Sequence, residues 1–142
     1  MILKQLSIFL ENKSGRLTEV SQTLAEAEIN ISAMSIADTA EYGILRLLVS
    51  NPVKASKILK EKGFSVNVTP VIAIIMPHHP GGLARALQIL SDAEISIEYI
   101  YAFAYTEDKA TVVIRTDTPE EAIKALQTHK MELLHESDIY EI

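Results

Sequence analysis

Side chains able to do covalent or metal chemistry are few in this chain. Cysteine is absent, which removes thiolate nucleophiles, thiolate metal sites and a disulfide framework together. That absence fits a cytoplasmic protein. Histidine occurs four times, as the neighbours His78 and His79 and as His129 and His135. Adjacent residues of an extended chain point to opposite sides, so His78 and His79 do not readily share one ion. No acidic pair stands at a ligand spacing beside any of the four, and neither a metal site nor a cofactor is expected. No Ser–His–acid or paired-carboxylate arrangement stands out. Glu107-Asp108 and Glu120-Glu121 read as a hairpin tip and a helix first turn. "PGGLAR" at 80–85 lacks the Lys-Ser/Thr ending of a nucleotide loop. The expectation is a protein that is not an enzyme.

The histidine pair does sit in a run with a physical meaning of its own. "PHHPGGL" (77–83) matches "ENKSGRL" (11–17), 66 residues earlier. Where a strand turns sharply into a helix, the first helical N–H groups are unpaired and point outward. With the positive end of the helix dipole they attract an anion such as a carboxylate. A glycine at that corner either admits another backbone or a ligand closely or merely permits the turn. Both readings of Gly15 and Gly81 stay open at this level.

The elements that must hold these corners are written twice. At an offset of 66, "GRLTEVSQTLAEAEINI" (15–31) faces "GGLARALQILSDAEISI" (81–97), with eight of seventeen positions identical. Unrelated segments would share about one, so the chain is an internal duplication. After one inserted residue, Pro52 meets Pro119, Ala55 meets Ala122 and Leu59 meets Leu126. In each copy an alternating run ("LKQLSIFL", "VIAIIM") predicts a strand. Leu17, Val20, Leu24 and Ala27, and in the second copy Leu83, Ala86, Leu87 and Leu90, recur at helical spacing. Ser14 stands at the expected N-cap, with Pro80 in the same slot of the second copy.

A hairpin follows in each copy: "INISAMSIA" to "ILRLLV", and "ISIEYIYAFAY" to "ATVVIR". Second helices open on Pro52 and Pro119, the former ending near Gly63. "FSVNV" and "MELLH" read as closing strands, and "SDIYEI" receives no firm assignment. The order βαββαβ, twice, is the ferredoxin-like pattern. The predicted fold is therefore α+β: two such units, at 1–69 and 70–142, packed side by side, with antiparallel sheets and helices on one face. A unit of about 70 residues is marginal alone.

The corners "ENKSGRL" and "PHHPGGL", with helices ending in "INI" and "ISI", resemble the ACT domain signature, and the resemblance covers the whole chain twice. It implies a regulatory, amino-acid-sensing fold that relays ligand state to a metabolic enzyme or other partner. It also implies a free amino acid as ligand. Edge strands on such a pair favour further self-association, so a homodimer is expected. Ligand contacts are implied at Ser14, Gly15, Arg16 and Leu17, and at Gly81, Gly82 and Leu83. In effector-binding members an Asn stands three residues before the loop glycine and another opens the next strand. Asn12 and Asn30 match; His78 and Ser96 replace them in the second copy. An amide carries one acceptor and two donors, enough to read ammonium and carboxylate together. The bland alternative makes Asn12 a turn former and Asn30 a helix terminator. Two other functions stay open: a ligand-independent regulatory subunit of an amino-acid biosynthetic enzyme, and a small enzyme on the same scaffold.

Charge and hydropathy narrow the partners. Residues 1–69 carry eight Lys/Arg against seven Asp/Glu, and residues 70–142 five against twelve. Neither half offers the clustered basic face that a phosphate backbone requires, which argues against nucleic acid. The longest apolar run, "VIAIIM", has six residues, well short of the ~18 that span a bilayer. The N-terminus, with Lys4 inside its apolar stretch, is not read as a signal peptide.

Overall fold

A computed structural model describes residues 1–11, 13–38 and 42–140. The chain runs β1 (Leu3–Glu11), α1 (Arg16–Glu26), β2 (Ile31–Asp38), β3 (Tyr42–Val49), α2 (Pro52–Glu61) and β4 (Ser65–Pro77). It continues through α3 (Gly82–Asp92), β5 (Tyr99–Tyr105), β6 (Lys109–Arg115), α4 (Pro119–Thr128), β7 (Glu132–Leu133) and α5 (Glu136–Tyr140). This is the βαββαβ order in both copies. Two compact units result. One comprises Lys4–Thr69 with the chain from Ser137 on, the other Pro70–Glu136 with Met1–Leu3. They are called here the N-terminal and C-terminal units.

In the N-terminal unit the strands lie in the order β2-β3-β1-β4. The alternating residues Leu6, Ile8 and Leu10 of β1 face the same way as Leu47 and Leu45 of β3, their antiparallel partners. Val20 and Leu24 of α1 and Ala55 and Leu59 of α2 close over them in one apolar core. On the opposite face of β1, Gln5 is fully buried, and its amide donates to Ser7 Oγ at 3.0 Å. Ser7 Oγ also lies 2.9 Å from Thr69 Oγ1. The C-terminal unit repeats the plan in the order β5-β6-β4-β7. Ile72, Ile74 and Met76 of β4 and Val112 and Ile114 of β6 meet Ala86, Ile89 and Leu90 of α3 and Ala122 and Leu126 of α4. Helices over one sheet face are thus observed in each unit.

Several local expectations need correction. The N-caps are Gly15 and Gly81, both left-handed (φ 91° and 93°), with no side-chain cap bond. Ser14 and Pro80 are each one residue too early. Proline's ring holds φ near −65° and cannot supply the turn the corner makes, whereas glycine adopts it freely. Leu17 and Leu83, the first residues of the two helical series, are both 41% exposed rather than in the core, while Ile89 is buried. Both leucines border the recess at their strand–helix corner instead. β5 starts at Tyr99, leaving Ser96 outside the strand, and the closing strand β7 has only two residues. The unassigned tail forms α5, with Ile139 buried. At α2 the expectation holds: Pro52 is in the first turn, Asn51 Oδ1 accepts from the Lys54 N–H at 3.2 Å, and Gly63 (φ 92°) ends it.

Candidate functional site

Each strand–helix corner opens onto a recess, and the two recesses occupy the same place in the duplicated pattern. In the N-terminal unit, Leu10, Glu11, Lys13, Arg16, Leu17, Ile36 and Gly43 line about 200 Å³. In the C-terminal unit the recess is about 540 Å³ and is lined by Met76, Pro77, His78, His79, Pro80, Gly81, Leu83, Ala110 and Val112. The alternation of β1 and β4 sends Leu10 and Met76 inward, and α1 and α3 contribute Leu17 and Leu83 from their first turns.

The glycines divide the two roles that were open. A Cβ added at Gly15 or Gly81 would meet nothing within 4 Å, so these residues are required by their positive φ, not by crowding. Gly82 is different: a Cβ there would stand 2.3 Å from the Pro77 carbonyl oxygen. The close approach is made by the chain's own strand end. Around it, the His79 N–H donates to Pro77 O (3.1 Å) and the Gly82 N–H to His79 O (3.0 Å). The His78 N–H reaches Asp108 O at 2.9 Å, tying the corner to the β5–β6 turn. In the first helical turn, the second and third N–H groups have no acceptor within a helix. Here those belong to Leu17 and Thr18, and to Leu83 and Ala84.

The charges at the two corners differ. Glu11 accepts from Lys13 Nζ at 2.9 Å and faces Arg16 at 3.6 Å, while Arg16 also reaches Glu19 at 3.3 Å. The Lys13 hydrogen bond and charge, then the Arg16 charge, hold the Glu11 carboxyl below the usual carboxylate range. The N-terminal corner thus supplies its own anion. At the C-terminal corner, Pro77 and Gly82 stand where Glu11 and Arg16 stand in the first copy, and the lining is apolar apart from the histidines.

Of the residues expected at the site, Arg16 and Leu17 line the first recess, and His78, Gly81 and Leu83 the second. Ser14 is exposed beside Gly15, and Gly82 is buried against Pro77. Asn12 lies outside the described residues. Asn30 and Ser96 are not brought to the corner of their own unit. Each is exposed beyond the far end of an 11-residue helix, about 16 Å long. The Asn30 N–H donates to Ser50 Oγ at 2.9 Å, and its carbonyl accepts from the Ser50 N–H. Glu11, Ile36 and Gly43, and Met76, Ala110 and Val112, were not anticipated. The period-two alternation that places Leu10 and Met76 inward was the available sign for those two. Among the described residues, no group of three or more His, Asp or Glu is placed to hold a metal ion. No helix among them is long and apolar enough to cross a membrane.

Two βαββαβ units, each turned at the same corner by a left-handed glycine, define a tandem regulatory domain of the ACT type. The chain belongs to the ACT domain pair family, which it matches over residues 1–142. It is 51% identical to protein BT0572 from Bacteroides thetaiotaomicron, with a TM-score of 0.95 over 100% of this chain and 98% of that one. The regulatory subunit of aspartate kinase from Thermus thermophilus, in its ligand-free form, shares the fold at 17% identity and TM-score 0.65, over 91% of this chain and 94% of that one. Among curated proteins, an aspartokinase of Corynebacterium glutamicum is 29% identical over 133 residues, covering 82% of this chain. The chain spans 31% of that relative's length.

Proposed function

We propose that this ACT-domain regulatory protein binds a free amino acid and passes its ligand state to an enzyme of amino-acid metabolism. The observation that carries the reading is the C-terminal corner. There an uncapped helix start, turned by Gly81, adjoins an apolar recess of about 540 Å³. The ligand carboxylate would meet the Leu83 and Ala84 N–H groups. Its side chain would lie against Met76, Leu83, Ala110 and Val112, and His78 would read the remaining polar group. The corresponding N-terminal seat is Ser14, Gly15, Arg16 and Leu17 with Asn12. Asn30 and Ser96 have no part in a single-corner site. The aspartokinase relative supports an amino-acid kinase or a neighbouring biosynthetic enzyme as partner. A homodimer that holds one orientation when ligand is bound would give the partner something to sense.

A thermal-shift screen of the full chain against the common amino acids tests this. A ligand at a hundredfold excess over its dissociation constant adds about 2.7 kcal/mol. Flat melting curves for every amino acid would sink the reading. The N-terminal corner favours the second reading for its own unit, because Glu11 already occupies the cations there. Co-purification of an enzyme with no amino-acid response would extend that reading, a ligand-independent interaction subunit, to the whole chain.

A further inference from the structure

We infer that a second recess in the C-terminal unit, bounded by Arg85, Lys109 and Lys130, is a binding site for a small oxyanion of the phosphate kind. It encloses about 300 Å³ and is also lined by Asp108 and Glu132. Residues 70–142 carry five Lys/Arg against twelve Asp/Glu, and three of those five cations line this one recess. Its lining side chains carry a net charge of +1, three cations less two carboxylates, within a half whose net charge is −7.

Two of the cations are placed rather than scattered, and the third is loosely held. Arg85 is held from both sides by uncharged acceptors, Met131 Sδ at 3.3 Å and the His129 carbonyl at 3.2 Å. Its guanidinium is therefore oriented without being neutralised. Lys130 follows α4 in the left-handed region (φ 59°), where the first copy has Gly63. A long side chain is thus presented from a backbone conformation that favours glycine. Lys109 pairs with Glu132 at 3.4 Å, but both side chains are about 60% exposed (61% and 59%), and so loose a pair is readily exchanged for another anion.

The first copy shows what such a recess accommodates. Its counterpart is lined by Phe9, Glu11, Arg16, Tyr42, Lys62 and Gly63, among others. There the Glu11 carboxylate already lies 3.6 Å from Arg16. In the second copy Pro77 replaces Glu11, and the guanidinium comes from Arg85, one helical turn beyond Gly82. The carboxylate at the Glu11 position is gone, and among the described residues neither Asp108 nor Glu132 forms an ion pair with Arg85, an arrangement suited to oxyanions with several acceptor atoms.

The test is a titration of the full chain with inorganic phosphate at constant ionic strength, followed by amide chemical shifts, with acetate in a parallel arm. Saturable shifts confined to residues near 85, 109 and 130 are expected, and Lys130→Gly should weaken them at least tenfold. Lys130→Gly installs the residue of the first copy, so its fold should persist; Arg85→Met supplies an independent second variant. Shifts that rise without saturation, or that survive both substitutions, would overturn the site. Saturation by acetate but not by phosphate would overturn its assignment to phosphate. The proposal does not depend on amino-acid binding at the corner, and neither result decides the other.

Discussion

At single residues, the corner separates two glycine requirements that look alike in sequence. Gly81 has free space around its missing side chain but a φ of 93°, whereas Gly82 has ordinary helical backbone and no space. Gly81→Ala should therefore cost about 1–2 kcal/mol, the left-handed penalty alone. Gly82→Ala enters a helix, where alanine is normally favoured by about 1 kcal/mol, so a net loss in urea denaturation would measure displacement of the Pro77 carbonyl. A stabilised Gly82→Ala would show that the strand end yields freely. Glu11 supplies a further residue-scale check. Its folded carboxyl is depressed, so its stabilisation is present above the unfolded pKa and disappears as pH falls through the folded value. Lys13→Ala should raise the Glu11 pKa toward the ordinary carboxylate value in a carboxyl-carbon NMR titration. An unchanged pKa would remove Lys13 as the principal cause. The sequence located the corner but not its cap, because Ser14 and Pro80 are good cap types and only dihedral angles distinguish them from Gly15 and Gly81.

At the level of elements, the strands and helices were legible because their apolar residues keep periods of two and of three to four. Helix ends were less so. α2 ends at Gly63, a recognisable stop, but α1 and α3 end at Glu28 and Glu94, both left-handed (φ 58° and 57°). Glutamate carries no such signal, and only its recurrence in both copies hints that the position is unusual. In each case the chain closes back on the helix: the Ile29 N–H reaches Leu24 O, and the Ile95 N–H reaches Leu90 O, both at 2.9 Å. Lys54 Nζ also donates to the Ala27 carbonyl at the end of α1, placing a cation at the negative end of the dipole. Since the backbone bonds define these ends, Glu28→Gly and Glu94→Gly should each raise stability by about 0.5–1 kcal/mol, relief of left-handed strain less glycine's added unfolded entropy. Equal or lower melting temperatures would show that the glutamates contribute through their side chains.

Across the whole molecule, the duplication made the two-unit plan readable, since identical pairs at a fixed offset survive any uncertainty about single elements. What no repeat could disclose is the allocation of the termini. Met1–Leu3 belongs with residues 70–136, and the chain from Ser137 on belongs with residues 4–69. Residues after 136 have no partner in the other copy, Met1–Leu3 runs straight into the first strand, and "SDIYEI" is too short to declare a helix, so periodicity could not make this allocation. Yet Ile139 in α5 is only 3% exposed, as buried as many core residues. A large apolar side chain removed from such a place costs roughly 2–4 kcal/mol, and the cost falls on the elements that cover it. Ile139→Ala should therefore lower amide hydrogen-exchange protection within residues 4–69, the unit to which α5 belongs. Loss confined to the α5 amides would mean that the last helix merely rests on its unit, and that residues 4–69 complete their core without it.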